Sequence, residues 1–302
     1  MNYLYFPGCS LKSTGRAYEE SLLETFATLG SPLSELEDWN CCGATAYMAV
    51  SELKAFALCA RNFALAEKQS CQQSNCDLVV PCAACYLGLV KARKYMEEYP
   101  KTRTKVQKAL GAAGLTYEGR ANIRHPLDVL LKDIGAENIK SKATRSLDGL
   151  RVACYYGCQL VRPYALFDDG HHPSTMDTLL QALGARTVDW PLKTRCCGGT
   201  LTGTIQETGL RLSYVLLKEA KKRKADVVAT ACPLCQFNLE CFQSKMHRKF
   251  GGDIGIPVAY FTQILGVALG GSRRELGLNR LFVPLEPALM ARSEKGGQPV
   301  HA

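Results

Sequence analysis

The chain has 302 residues, 47% of them hydrophobic and 22% charged, which is enough for two ordinary domains with proper cores and too apolar for disorder. No apolar run approaches the roughly 18 residues of a membrane span, and the start "MNYLYFPGCS" lacks a basic stretch followed by a long apolar one. The expectation is a cytoplasmic protein that is not itself transmembrane. The formal charge of +9 is not gathered into a basic stripe interleaved with aromatics, so nucleic-acid binding is not expected. The densest basic run, "KEAKKRKAD" (218–226), closes a helical pattern, where cations suit the helix dipole, and reads as a solvated face.

In chain order, residues 2–6 read as a short buried strand running to Cys9. "AYEESLLETFATLG" (17–30) is a helix stopped by Gly30. A loop follows with two adjacent cysteines, Cys41 and Cys42, and then Gly43. "SELKAFALCARNFALAEKQ" (51–69) is a second helix, "DLVVP" a strand, and Cys82 and Cys85 open a third helix. "IRHPLDVLLKDIG" (123–135) closes the segment as an amphipathic helix, and residues 136–150 form a linker.

The same order then recurs. Residues 151–156 are a strand leading to Cys158. "STMDTLLQALGA" (174–185) is a helix, and Cys196, Cys197 and Gly198 repeat the doublet. "QETGLRLSYVLLKEAKKRK" (206–224) is a helix, "DVVAT" a strand, and Cys232 and Cys235 open the next helix. "IPVAYFTQILGVALG" (256–270) closes the copy. Cys9 and Cys158, Cys41 and Cys196, and Cys82 and Cys232 stand 149, 155 and 150 residues apart, so the chain is an internal duplication. The alternation of strands and helices predicts an α/β fold with two small parallel sheets flanked by helices. The expected domains are 1–140, 150–270 and a tail, 271–302.

Fifteen cysteines, an odd number, with no secretory leader point to metal or redox chemistry rather than to a disulfide framework. In open α/β sheets ligands gather at the carboxyl ends of strands. Cys9, Cys82, Cys158 and Cys232 end strands in this reading, while Cys85 and Cys235 fall in first helical turns, where the dipole favours thiolate. Gly43 and Gly198 allow the doublet loops to turn sharply toward the same edge. Each copy can thus present five thiolates. Adjacent cysteines grip one tetrahedral ion awkwardly but suit a centre of several metal atoms; zinc with a spare thiol remains the alternative for a copy. Among the other cysteines, Cys59, Cys154 and Cys241 read as buried packing residues, and Cys71 and Cys76 as part of a polar connection.

The motifs "YYGCQLVRP", "RCCGG", "ACPLCQFNL" and "IPVAYFTQILGVALG" resemble the CCG-domain proteins, above all the B subunit of heterodisulfide reductase. The resemblance covers residues 2–270. It implies two noncubane 4Fe-4S clusters, one held by Cys9, Cys41, Cys42, Cys82 and Cys85 and the other by Cys158, Cys196, Cys197, Cys232 and Cys235. It further implies a catalytic subunit in which a disulfide is cleaved or formed between the two centres, one thiol half at each. The alternative within the family is a non-catalytic electron-relay subunit of a lactate, glycolate or glycerol-phosphate oxidoreductase.

Because the chain lacks the ferredoxin-type cysteine run, the resemblance implies a donor like the C subunit of that enzyme, with ferredoxin-type 4Fe-4S clusters, and beyond it a flavin-containing A subunit. The substrate class is a disulfide, on a small molecule or a lipoyl carrier protein. Lys193 and Arg195 could attract an anionic substrate, and His171 and His172 could donate protons. Residues 271–302 are open between a docking segment for the donor and a loose tail.

Overall fold

The computed structural model describes residues 3–70 and 76–293. Two four-stranded sheets carry the chain, both wholly parallel. The first comprises β1 (Tyr3–Tyr5), β2 (Leu33–Glu35), β3 (Cys76–Val79) and β4 (Ala121–Arg124), in the order β2-β1-β3-β4. The second comprises β5 (Arg151–Tyr155), β6 (Arg186–Thr187), β7 (Val227–Thr230) and β8 (Val258–Tyr260), in the order β6-β5-β7-β8. Helices cover the sheets, so the central strands are mostly apolar; β7 is buried at every position.

The expected strands and helices are present; among the described residues they are joined by four further strands and by helices the sequence reading did not mark, such as Pro100–Ala112 and Gln243–Phe250. β2 and β6 are only three and two residues long, too short for any periodicity to mark them. β4 and β8 occupy the starts of the two segments read as closing helices. Pro126 explains the first, because the residue before a proline is pushed out of the helical region; His125 has φ −91° and ψ 147°. The helix proper runs only from Pro126 to Val129 and then widens into a π turn over Leu130–Ile134.

The copies interlock reciprocally. Helix Phe261–Ala268 of the second copy packs on helix Arg16–Thr28 of the first. Ser21 Oγ and Thr262 Oγ1 lie 2.6 Å apart there, and the Thr25 hydroxyl donates to the Thr262 carbonyl at 3.2 Å. In return, the stretch that follows β4 packs on helix Thr175–Ala182. The expected linker takes part in this joint. It opens with helix Ala136–Ser141, buries Ile139, Leu147 and Leu150, and donates the Thr144 and Arg145 amides to the Ala268 carbonyl.

Residues 271–293 are not a loose tail. Leu276, Leu278 and Leu285 are buried, Arg280 pairs with Glu20 at 2.7 Å, and the Phe282 and Val283 amides donate to the Glu240 carboxylate. The expected tail beyond residue 293 and Cys71 lie outside the described residues. Among the described residues no helix is long and apolar enough to cross a membrane.

Candidate metal centre

All ten motif cysteines gather at the carboxyl ends of β1, β3, β5 and β7. The strands stop a few residues earlier than the sequence suggests, at Tyr5, Val79, Tyr155 and Thr230. Cys9 lies in the single helical turn Gly8–Leu11, and Cys82 and Cys232 are the N-caps of helices Ala83–Glu98 and Pro233–Glu240. Cys85 and Cys235 are the third residues of those helices, as expected.

Two glycines make the approach possible. Gly8 and Gly157 have φ of +65° and +70°, and a side chain on either would meet a thiol: Cys85 Sγ at 3.1 Å and Cys235 Sγ at 3.2 Å. Gly43 and Gly198, at φ +72° and +102°, turn the doublet loops.

Nine of the ten thiols form one continuous string. In the first copy it runs Cys41, Cys42, Cys85, Cys82, with Cys42 and Cys85 Sγ 3.1 Å apart. In the second it runs Cys158, Cys196, Cys197, Cys235, Cys232, with Cys197 and Cys235 Sγ 3.6 Å apart. The halves join where the Cys82 and Cys232 thiols interact across the boundary between the copies. Cys9 stands in the field of Cys41 and completes the set. Cys9, Cys41 and Cys196 are exposed and Cys158 half-buried, while the other six are buried, so the string opens to solvent at both ends.

The protons on this string are unevenly held. Hydrogen bonds from Cys41 and Cys85 pull Cys42 down to about 4, and those from Cys158 and Cys197 pull Cys196 down to about 2. Cys232 is also lowered, by Cys235 and then Cys82. The thiols that donate, Cys41, Cys82, Cys85, Cys158, Cys197 and Cys235, are raised in consequence. Backbone amides add to the lowering: Gly43 and Ala44 donate to Cys41 and Cys42, and Gly198 and Gly199 to Cys196 and Cys197, at 3.3–3.5 Å.

Several residues beside the string are ones the sequence reading does not single out. Tyr18 and Tyr260 are completely buried, their rings stacked at 4.4 Å, and neither hydroxyl has a hydrogen-bond partner. Burial pushes both phenols well above their ordinary range, reinforced by the Tyr260 charge at Tyr18 and by the Cys232 and Glu240 charges at Tyr260. Thr230, the register partner of Tyr260, has a third unpartnered buried hydroxyl. His125 is wholly buried, with Nε2 3.2 Å from the Pro81 carbonyl and Nδ1 accepting from the Leu127 amide; burial pushes it down to about 4, so it is neutral. Asn238 donates to Cys197 Sγ at 3.4 Å.

Other sequence readings divide. Cys59 and Cys154 are buried, and the Cys59 thiol donates to the Cys42 carbonyl. Cys76 is not in a polar connection: it begins β3 and is buried, because the strand starts one residue earlier than "DLVVP". Cys241 is half-buried rather than buried, since it caps the end of its helix. Lys193 is tied to Asp177 at 2.7 Å and is no free attractor, whereas Arg195 is exposed beside Cys196. His171 and His172 are exposed in their loop, their backbone amides held by the Asp169 carboxylate.

Residues 3–90 and again residues 152–240 match the CCG family of cysteine-rich domains. The chain is a CCG-domain protein with two copies of the domain. It is 31% identical over 279 residues to the 8-methylmenaquinol:fumarate reductase membrane anchor subunit of Wolinella succinogenes, covering 92% of this chain and 95% of that one. It is also 31% identical over 281 residues to the B subunit of a ferredoxin/F420H2-dependent CoB-CoM heterodisulfide reductase of Methanosarcina acetivorans, covering 91% of each. A protein of Archaeoglobus profundus that resembles the heterodisulfide reductase B subunit is 30% identical over 277 residues, 89% of this chain and 91% of its own. Among solved structures, a hypothetical protein from Helicobacter pylori has the same fold, with a TM-score of 0.75 at 15% identity. The match covers 94% of this CCG protein but only 52% of that chain.

The donor set fits a sulfur-ligated centre. Thiols converge in both copies, two glycines leave room at Cys85 and Cys235, and buried hydroxyls beside Cys82 and Cys232 await acceptors. Among the described residues, no three Cys, His, Asp or Glu groups are disposed to hold a single metal ion.

Proposed function

We propose that this CCG protein is the catalytic subunit of a cytoplasmic heterodisulfide reductase-like complex. It would cleave or form a disulfide at one site shared by its two copies. The observation that carries this reading is the meeting of Cys82 with Cys232, which turns two cysteine sets into one array. Cys9, Cys41, Cys42, Cys82 and Cys85 would hold one noncubane 4Fe-4S cluster, and Cys158, Cys196, Cys197, Cys232 and Cys235 the other. Five sulfurs strung along a sheet edge suit several metal atoms better than one tetrahedral zinc ion. When bound, such clusters supply electrons one at a time and sites for thiolate sulfur.

The protein's own residues would do the rest. Arg195, exposed beside Cys196, attracts an anionic disulfide. The exposed thiols of Cys9, Cys41 and Cys196 give access. The reaction takes R–S–S–R′, two electrons and two protons to RSH and R′SH. The electrons come from an iron–sulfur partner with ferredoxin-type clusters, itself served by a flavin protein. The test supplies a reduced ferredoxin-type donor and counts products: two thiols released per two electrons consumed supports the reading, and electron uptake without thiol release sinks it.

A second reading has its own support in the similarity to the fumarate reductase anchor subunit, which spans nearly all of that protein. On it, the array relays electrons between partner subunits and cleaves no disulfide. Electron transfer from donor to acceptor proteins that disulfides neither draw from nor inhibit would favour this reading.

A further inference from the structure

The two copies present almost the same hydrogen bonds to their doublet sulfurs. Each loop offers two backbone amides, Gly43 and Ala44 in the first copy and Gly198 and Gly199 in the second. Each also has a buried side chain on the carbonyl of the second cysteine: Cys59 on Cys42 and Ser213 on Cys197. Beyond these, only the second copy has a side-chain N–H on a doublet sulfur among the described residues. The Asn238 amide, wholly buried, donates to Cys197 Sγ at 3.4 Å.

The orientation of that amide is fixed by its other partners. Asn238 Nδ2 also donates to the Gly199 carbonyl at 2.8 Å, and a carbonyl can only accept. Oδ1 therefore faces the other way, where the Thr202 hydroxyl donates to it at 2.8 Å. In the first copy the position three residues past the last cysteine is Gly88. The place of the amide is taken by Ala44: a side chain at Gly88 would meet Ala44 Cβ at 3.2 Å. The pair Ala44 and Gly88 has thus been exchanged for Gly199 and Asn238.

Hydrogen bonds to ligand sulfurs and nearby positive charge both favour the reduced, more anionic state of an iron–sulfur centre. The residue before each doublet acts in the same sense, neutral Asn40 in the first copy and cationic Arg195 in the second. Cys158 is more buried than Cys9, which acts in the opposite sense. We infer that Asn238 is a positioning residue that sets the centre of the second copy at a higher reduction potential than that of the first, making the second copy the electron sink. This rests on the iron–sulfur reading above.

The experiment is an EPR-monitored redox titration of the anaerobically loaded wild type, Asn238→Leu and Thr202→Val, with iron and sulfide measured on each sample. Leucine keeps the volume and removes the donor. The wild type should give two reduction waves. Asn238→Leu should lower only the upper wave, by about tenfold in the reduction constant, or about 59 mV for one electron. Thr202→Val, which frees the amide to turn, should lower the same wave by less, and decides the matter if the leucine variant fails to fold. A single wild-type wave, or full iron with both waves unmoved, overturns the role of Asn238 and leaves the iron–sulfur reading standing. Protein without iron or sulfide overturns both.

Discussion

The rings of Tyr18 and Tyr260 lie face to face across the two copies, centroids 4.4 Å apart and planes within 8°, with both hydroxyls buried and unpartnered. An unmade hydrogen bond at a buried hydroxyl costs about 1–3 kcal/mol. Tyr260→Phe removes that cost and should stabilise the metal-free protein by about 1 kcal/mol in urea unfolding. If the hydroxyl donates to sulfur in the loaded protein, the same substitution should there be destabilising. Equal effects with and without metal would mean that the hydroxyl has no partner in either state.

Metal content is the next expectation. Protein purified without oxygen should hold about eight irons per chain if each copy carries a four-iron centre. Zinc at about one per copy, with little iron, would show that the cysteines serve mononuclear sites instead.

The ten motif cysteines were legible because duplication repeats their order at nearly one offset, and that order survives changes in loop length. What surrounds them was not. β2 and β6 are two or three residues long and carry no pattern. The neutralisation of Lys193 depends on Asp177, sixteen residues upstream, which only the fold brings near. Tyr18, Tyr260 and His125 carry no signal of their own in the sequence, and only the fold brings them near the cysteines. Asn238 did leave a trace: aligning the repeats sets it against Gly88. A single difference between two copies names no partner until Ala44 and Gly199 are seen beside it.

Single substitutions separate ligands from packing. Cys197→Ser should abolish or distort the spectrum of the second centre and leave the first. Cys59→Ala should leave both spectra intact, costing about 1 kcal/mol for a small buried side chain and its bond to the Cys42 carbonyl. Equal spectral damage from the two would mean the ligands are misassigned.

Glu240 makes the stability of the tail pH-dependent. Burial raises its carboxyl to about 7, against the pull of the Val283 amide, Gln236 and the Phe282 amide. A folded value above the unfolded one means that the folded state holds the proton more tightly. The stabilisation is therefore full below the unfolded value of 4.5 and is lost as pH rises through 7. The loss should approach about 2–3 kcal/mol by pH 8. Glu240→Gln should flatten that slope in urea unfolding between pH 5 and pH 8. An unchanged slope would place the titrating group elsewhere.

The last prediction concerns the shared site. Cleaving one disulfide into two thiolates requires a sulfur-binding centre on each side within reach of a single molecule. The contact of Cys82 with Cys232 brings the two cysteine sets together at the boundary between the copies. An added thiolate product, or a disulfide offered to the reduced protein, should therefore perturb the spectra of both centres at once. Arg195→Ala should weaken this response for anionic thiols about tenfold and leave a neutral thiol unaffected, because an exposed cation beside Cys196 acts through long-range attraction. That difference should shrink at high salt, where attraction between exposed charges is screened. If a disulfide alters one centre while the other stays silent, even when fully reduced, the copies do not share a substrate. The array is then a relay, in keeping with the likeness to the fumarate reductase anchor subunit.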